Sequence, residues 1–109
     1  MRFSEYQRRS RATAVYPDLG SNIAYPALGL CGEAGEIAEK VKKAMRDDGG
    51  TLTQERREAI AAELGDVLWY VAQLATEADL DLEEIAEANI AKLASRQQRS
   101  VLHGSGDDR

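Results

Sequence analysis

Apolar residues recur along this chain at three- and four-residue intervals, the period of a helix, and the pattern breaks at a few punctuated sites. Ser4 followed by Gln7 has capping-box spacing and predicts a first helix over about residues 4–14. "VYPDLGSN" (Val15–Asn22) is loop composition. Tyr25 precedes a proline and is biased away from helical dihedrals, whereas Pro26 suits a first helical position. A long helix then extends to about Arg46, with Lys40, Lys42, Lys43 and Arg46 near its negative end. "DDGG" (Asp47–Gly50) breaks it. Thr53 can cap a third helix reaching about Ala78. Asp81 with Glu84 can cap a fourth that ends near Arg96 or Gln98. Beyond it, "RSVLHGSGDDR" has little to bury and reads as an arm or a disordered tail. The expected fold is all-α, with four helices.

The second and third predicted helices repeat a pattern. Glu33-Ala34-Gly35-Glu36-Ile37 parallels Glu63-Leu64-Gly65-Asp66-Val67, acid for acid and glycine for glycine. At about 100° per residue, Leu30, Ala34, Ile37 and Val41 form one apolar stripe, and Glu33 and Glu36 border it. Ile60, Leu64, Val67, Leu68 and Val71 form the other, bordered by Glu63 and Asp66. The midpoint between the pairs falls between Gly49 and Gly50. An antiparallel hairpin over residues 26–78 therefore brings both pairs to one height, with four acids facing across the seam. Acids beside an apolar stripe can be a solvated flank. Their duplication, equidistant from the bend, favours a site for hard divalent cations that offset the repulsion. Gly35 and Gly65 add to this, since a mid-helix glycine costs about 1 kcal/mol and calls for a compensating gain, either close helix approach or a local adjustment.

The donor types narrow the metal. A di-iron carboxylate bundle wants Glu-x-x-His pairs, and the single histidine here, His103, lies in the tail as a bystander. All-oxygen ligation points to magnesium or manganese, whose usual partner is a phosphate-bearing substrate. On the fourth helix, Leu82, Ile85, Ala86 and Leu93 mark the apolar stripe, yet Asn89 lies at its centre, with Arg96 near the same line and Lys92 on its edge. Asn89 either fixes helix register or joins the two cations in a phosphate or sugar grip. Tyr70 is either a core-edge aromatic or a hydroxyl aimed at substrate.

Composition closes several other routes. At 109 residues the chain supports one domain. A net charge of −5 argues against a nucleic-acid partner or a membrane-surface partner, either of which needs a basic face. Cys31 is the only cysteine, so neither an internal disulfide nor a thiolate metal site can form, and this suits a reducing cytoplasm. No apolar leader or membrane-length apolar run occurs.

"LGLCGEAGEIAEKVKK", "ELGDVLWYVAQLA" and "DLEEIAEANIAKL" resemble the MazG family of all-α nucleoside triphosphate pyrophosphohydrolases, nearest its small single-domain, phage-type members. The signature is Glu-x-x-Glu, a spacer, then Glu-x-x-Asp; here Glu33-x-x-Glu36 precedes Glu63-x-x-Asp66 by 26 intervening residues. The resemblance covers roughly residues 3–96 and implies a catalytic domain over residues 1–98 with a flexible tail over 99–109. It implies cleavage of ribo- or deoxynucleoside triphosphates between the α- and β-phosphates to monophosphate and pyrophosphate, a role in nucleotide-pool house-cleaning. Glu33, Glu36, Glu63 and Asp66 would hold magnesium, with manganese as a substitute, and so form the catalytic set. Tyr70, Asn89 and Lys92 would lie near the nucleotide; Arg96 is added on helix geometry. The resemblance further implies a homo-dimer or homo-tetramer with sites completed by neighbouring subunits. Tyr6, Tyr16, Tyr25 and Trp69 are each either a base-stacking residue or, more commonly for such aromatics, simple packing, and Trp69, facing away from its own stripe, suits a subunit contact. The competing classes are a helical regulatory module that turns nothing over and a hydrolase of another pyrophosphate-linked metabolite. All four acids being present favours catalysis.

Overall fold

The structure, a computed structural model, describes residues 1–109. It contains α1 (Phe3–Ser10), which continues into a 3₁₀ turn (Arg11–Thr13), then α2 (Ala24–Asp47), α3 (Gln54–Glu77) and α4 (Leu82–Gln98), with no strand. None of these helices is long and apolar enough to cross a membrane.

The centre is the expected hairpin. α2 and α3 are each 24 residues long and pack antiparallel. Gly49 and Gly50 take φ of 62° and 83°, the left-handed region that glycine enters without a Cβ penalty. The Gly50 amide returns to the Ala44 carbonyl at 3.1 Å and closes the end of α2. Thr53 caps α3 by accepting from the Arg56 amide at 3.2 Å, and Arg56 pairs back to Asp48 across the turn. Asp81 caps α4 through the amides of Glu83 (2.8 Å) and Glu84 (3.3 Å).

Two local expectations need correction. α1 starts at Phe3 and Ser4 does not cap it. Gln7 is used differently: its amide donates to Thr76 Oγ1 (3.1 Å) and the Leu80 carbonyl (2.8 Å), and its oxygen accepts from the Leu82 amide (2.8 Å). One side chain thus clamps the α3–α4 turn. Helix α2 begins at Ala24, so Tyr25 is helical despite the proline after it. The first turn needs no intrahelical N–H from Pro26, and Asn22 Oδ1 accepts from the Tyr25 amide at 3.0 Å, overriding the local preference.

The buried core is small and most of it lies where α1 crosses the C-terminal half of α3, with Ala44 buried apart from it near the hairpin turn. Ala14, Tyr16, Ala72, Ala75 and Leu82 are buried at the crossing. So are Ser10 and Gln73, joined by a 2.8 Å hydrogen bond. The loop before α2 is tied down by Glu77, whose side chain is fully buried. Its carboxylate accepts from the amides of Asn22 (2.7 Å) and Gly20 (2.9 Å), the Tyr16 hydroxyl (2.8 Å) and the Arg11 guanidinium (2.6 Å). α4 packs on α1 and leaves Ile85, Ile90 and Leu93 exposed. The radius of gyration is 16.7 Å, against roughly 13 Å for a compact chain of about a hundred residues.

Hydrogen bonds from Asn22, Arg11, Tyr16 and Gly20 hold the Glu77 carboxyl down at about 2 against an ordinary 4.5, the Asn22 amide acting most strongly, while burial works against them. A depressed folded pKa means the stabilisation is present above the ordinary value and is lost as pH falls through the folded one. Glu77→Gln should therefore melt at a lower temperature than the parent at pH 7. Its stability should also decline less than the parent's between about pH 4.5 and 2. Thermal melts across that range check both outcomes.

Candidate metal centre

At mid-height in the hairpin, carboxylate oxygens of Glu33, Glu63 and Asp66 all lie within 4.8 Å of one another. Glu33 comes from α2 and the other two from α3, one turn apart, and the contact between the two helices brings them together. The apolar stripes expected on these helices do not wholly face each other: Ala34, Val41 and Leu64 are exposed, and the contact face is rotated toward the Gly29–Tyr70 and Lys40–Glu63 pairs. Glu36 stands outside this trio, exposed, but its charge still reaches Glu33. The expected four-acid seam is thus a close trio with a fourth carboxylate beside it.

These groups cannot all be charged side by side. The Glu33 carboxyl is pushed up to about 7, chiefly by sharing its proton with Glu63, then by burial and by the charges of Glu63, Asp66 and Glu36. The Glu63 carboxyl shifts down, because it receives that hydrogen bond from Glu33 and is also faced by Lys40. Lys40 Nζ stands 3.3 Å from Glu63 Oε1. Glu63 Oε2 is buried and has no hydrogen-bond partner. A buried carboxylate oxygen left open among other carboxylates fits a hard cation.

Tyr70 lies one turn beyond Asp66. Burial raises its hydroxyl above the ordinary value, aided by Tyr25 and the negative Glu33 and Asp66. Its ring rests on Gly29: a Cβ built there would meet the ring at 2.2 Å. Gly29 is therefore the glycine that close approach requires. At Gly35 and Gly65 an added Cβ would meet nothing within 4 Å, so within the chain those two positions gain no packing from being glycine.

The aromatic candidates divide. Tyr16 is buried and stacks on Tyr25 with centroids 4.7 Å apart; Tyr25 leans on Tyr70 at 6.5 Å. Trp69 meets Tyr70 edge-on at 5.1 Å and donates its indole N–H to Thr13 Oγ1 (2.9 Å) and the Ser10 carbonyl (3.2 Å). It faces away from the α2 seam because it locks α1 onto α3. Tyr6 is half-buried and lines a small recess with Met1, Phe3 and Leu68.

The fourth-helix residues do not join the acids within one chain. Asn89 and Lys92 are exposed on α4, which leaves α3 to pack on α1 and does not lie back along the hairpin. Lys92 Nζ lies 3.4 Å from Asp107 Oδ1. Arg96 is buried, donating to the carboxylate (3.1 Å) and carbonyl (2.7 Å) of Asp107, with Nε left unpaired. Residues after Gln98 thus turn back on α4. Lys40 and Gly29 escaped the sequence reading, though both were legible. Lys40 follows Glu36 by one turn, and Gly29 and Tyr70 are equidistant from the Gly49–Gly50 bend, like the acids.

Fold and site together describe an all-α hairpin protein with a carboxylate centre at the seam. Residues 25–101 match the MazG nucleotide pyrophosphohydrolase domain, and the chain belongs to that family. It is 50% identical over 109 residues to the Gene 37 protein of Mycobacterium phage L5, an alignment covering 95% of this chain and 96% of that one. No solved structure matches it.

The Gly29–Tyr70 contact gives a direct test. Gly29→Ala should destabilise by about 1–3 kcal/mol, because the ring has to leave its seat. In the double variant with Tyr70→Ala the Gly29 change should cost clearly less, a coupling of at least about 0.5 kcal/mol in denaturant melts. Strict additivity would show that the ring does not rest on Gly29.

Proposed function

We propose that this chain is a magnesium-dependent nucleoside triphosphate pyrophosphohydrolase, cutting ribo- or deoxynucleotides between the α- and β-phosphates. The observation that carries this reading is the trio Glu33, Glu63 and Asp66 with the open, buried Glu63 Oε2, set inside a MazG domain. Magnesium, or manganese in its place, would neutralise the phosphates and lower the pKa of a water to make it nucleophilic. Glu33, Glu36, Glu63 and Asp66 supply the oxygen donors, and Glu33 gives up its shared proton when the cation arrives. Tyr70, seated on Gly29, offers a fixed hydroxyl at one border of the site. Nucleotide-pool house-cleaning in the cytoplasm is the setting this chemistry suits.

The working unit is a homo-dimer or homo-tetramer. The single chain exposes 7587 Å², where a folded 11.9 kDa monomer exposes about 5,900 Å². Leu28, Met45, Leu64, Ile90 and Leu93 are among the exposed apolar residues. A second copy would cover them and could bring the Asn89, Lys92 and Arg96 face of its own α4 toward the acids, which α4 does not reach within one chain. Sedimentation at assay concentration should give a dimer or larger; a fully active monomer would contradict this.

Product analysis tests the reaction: monophosphate and pyrophosphate are expected, with turnover abolished by excess chelator. Diphosphate plus orthophosphate as primary products would overturn it. Magnesium binding to the folded state alone stabilises by about 2.7 kcal/mol at a hundred times its dissociation constant. Glu63→Gln should melt no lower than the parent in chelator, gain less from magnesium and lose nearly all turnover. An equal magnesium shift in both proteins would mean that Glu63 is not a ligand.

A further inference from the structure

The acid cluster carries its own cation. Lys40 Nζ sits 3.3 Å from Glu63 Oε1, with 27% of the lysine side chain and 17% of the glutamate exposed. The other lysines of α2 stand apart from the centre: Lys42 pairs with Glu39 at the surface, and Lys43 is exposed with no ion pair. Lys40 pairs with one oxygen of Glu63, while the other, Oε2, is buried without a hydrogen-bond partner. The same lysine lines an open cleft of about 480 Å³ with Asp48, Thr53, Glu55 and Arg56, so open space lies beside it.

We propose that Lys40 is the resident counter-ion of the metal centre, a positioning residue that favours entry of the cation as its triphosphate complex over entry of the bare ion. The inference rests on the reading of the acids as metal ligands. A fixed positive charge within a few ångströms of the ligand oxygens repels a divalent ion arriving alone, and this repulsion is strong where water is partly excluded. The same charge attracts the polyanion that carries the ion. Lys40 therefore weakens bare-metal binding and strengthens binding of the metal–nucleotide complex. It also holds Glu63 by Oε1, which leaves Oε2 as the oxygen that would meet a bound cation.

Lys40→Met, with Lys40→Gln as the more soluble alternative, separates these effects. Titration calorimetry with magnesium alone should show binding at least tenfold tighter than in the parent. The KM for nucleotide triphosphate in saturating magnesium should rise at least tenfold. Lys40→Arg should restore both toward parental values, because it keeps the charge. A lysine that only packed the helices would lower the melting temperature and leave bare-metal affinity where it was. Unchanged or weaker magnesium binding in both Lys40→Met and Lys40→Gln would overturn the proposal, as would an unchanged KM. Glu63→Gln serves as the reference: magnesium binding as tight as the parent's in that variant would overturn the metal-centre reading itself, whatever Lys40 does.

Discussion

One carboxylate sets the register on which the site depends. Glu77, at the last position of α3, collects two backbone amides, a phenol and a guanidinium. These partners span Arg11 to Asn22, so the loop before α2 is fixed to the end of α3. Asn22 in turn receives the Tyr25 amide and so defines where α2 starts. The hairpin is thereby pinned at both ends, by Glu77 at one and by the Gly49–Gly50 turn at the other. Two helices of equal length pinned at both ends cannot slide. Glu33 must then meet Glu63 and Asp66 at mid-height, where a slip of one turn would separate them by about 5.4 Å.

That arrangement separates stability from chemistry along the hairpin. The buried core gathers around the C-terminal half of α3, where α1 crosses and Gln73 and Ser10 bond in the interior. The middle of the seam has carboxylates where a core would have apolar side chains. Their mutual repulsion is relieved by a proton on Glu33 and by the ammonium of Lys40. The crossing of α1 and the Glu77 ties hold the fold, leaving the seam free to carry unfavourable charge.

Much of this was legible in the chain. The caps at Thr53 and Asp81, the glycine turn and the doubled acid motif all act locally, so residue type and spacing report them directly. What escaped acts across long sequence separations. Gln7 has capping-box spacing yet spends its amide on a turn about seventy residues away. Glu77 looks like one more acid on a charged helix, and only its enclosure by the loop reveals its role. Trp69 shows the limit of judging a side chain from its own helix: it faced off the stripe because another helix of the same chain lay there. The Asn89, Lys92 and Arg96 face failed to meet the acids for a similar reason, since the turn after Ala78 steers α4 onto α1.

The aromatic chain from Tyr16 through Tyr25 to Tyr70 has a consequence for how such a sequence can change over time. Tyr16 is hydrogen-bonded to Glu77, and Tyr70 borders the carboxylates while resting on Gly29. The ends of this run are thus the anchor of the fold and the edge of the chemistry, joined by a stacked pair at Tyr16–Tyr25, a tilted pair at Tyr25–Tyr70 and the ring-to-backbone seat on Gly29. A new side chain at Gly29 is admissible only with a smaller one at Tyr70, and that in turn would leave Tyr25 unsupported and loosen the stack on Tyr16. A change at any one of these four positions is therefore felt by its neighbours along the run.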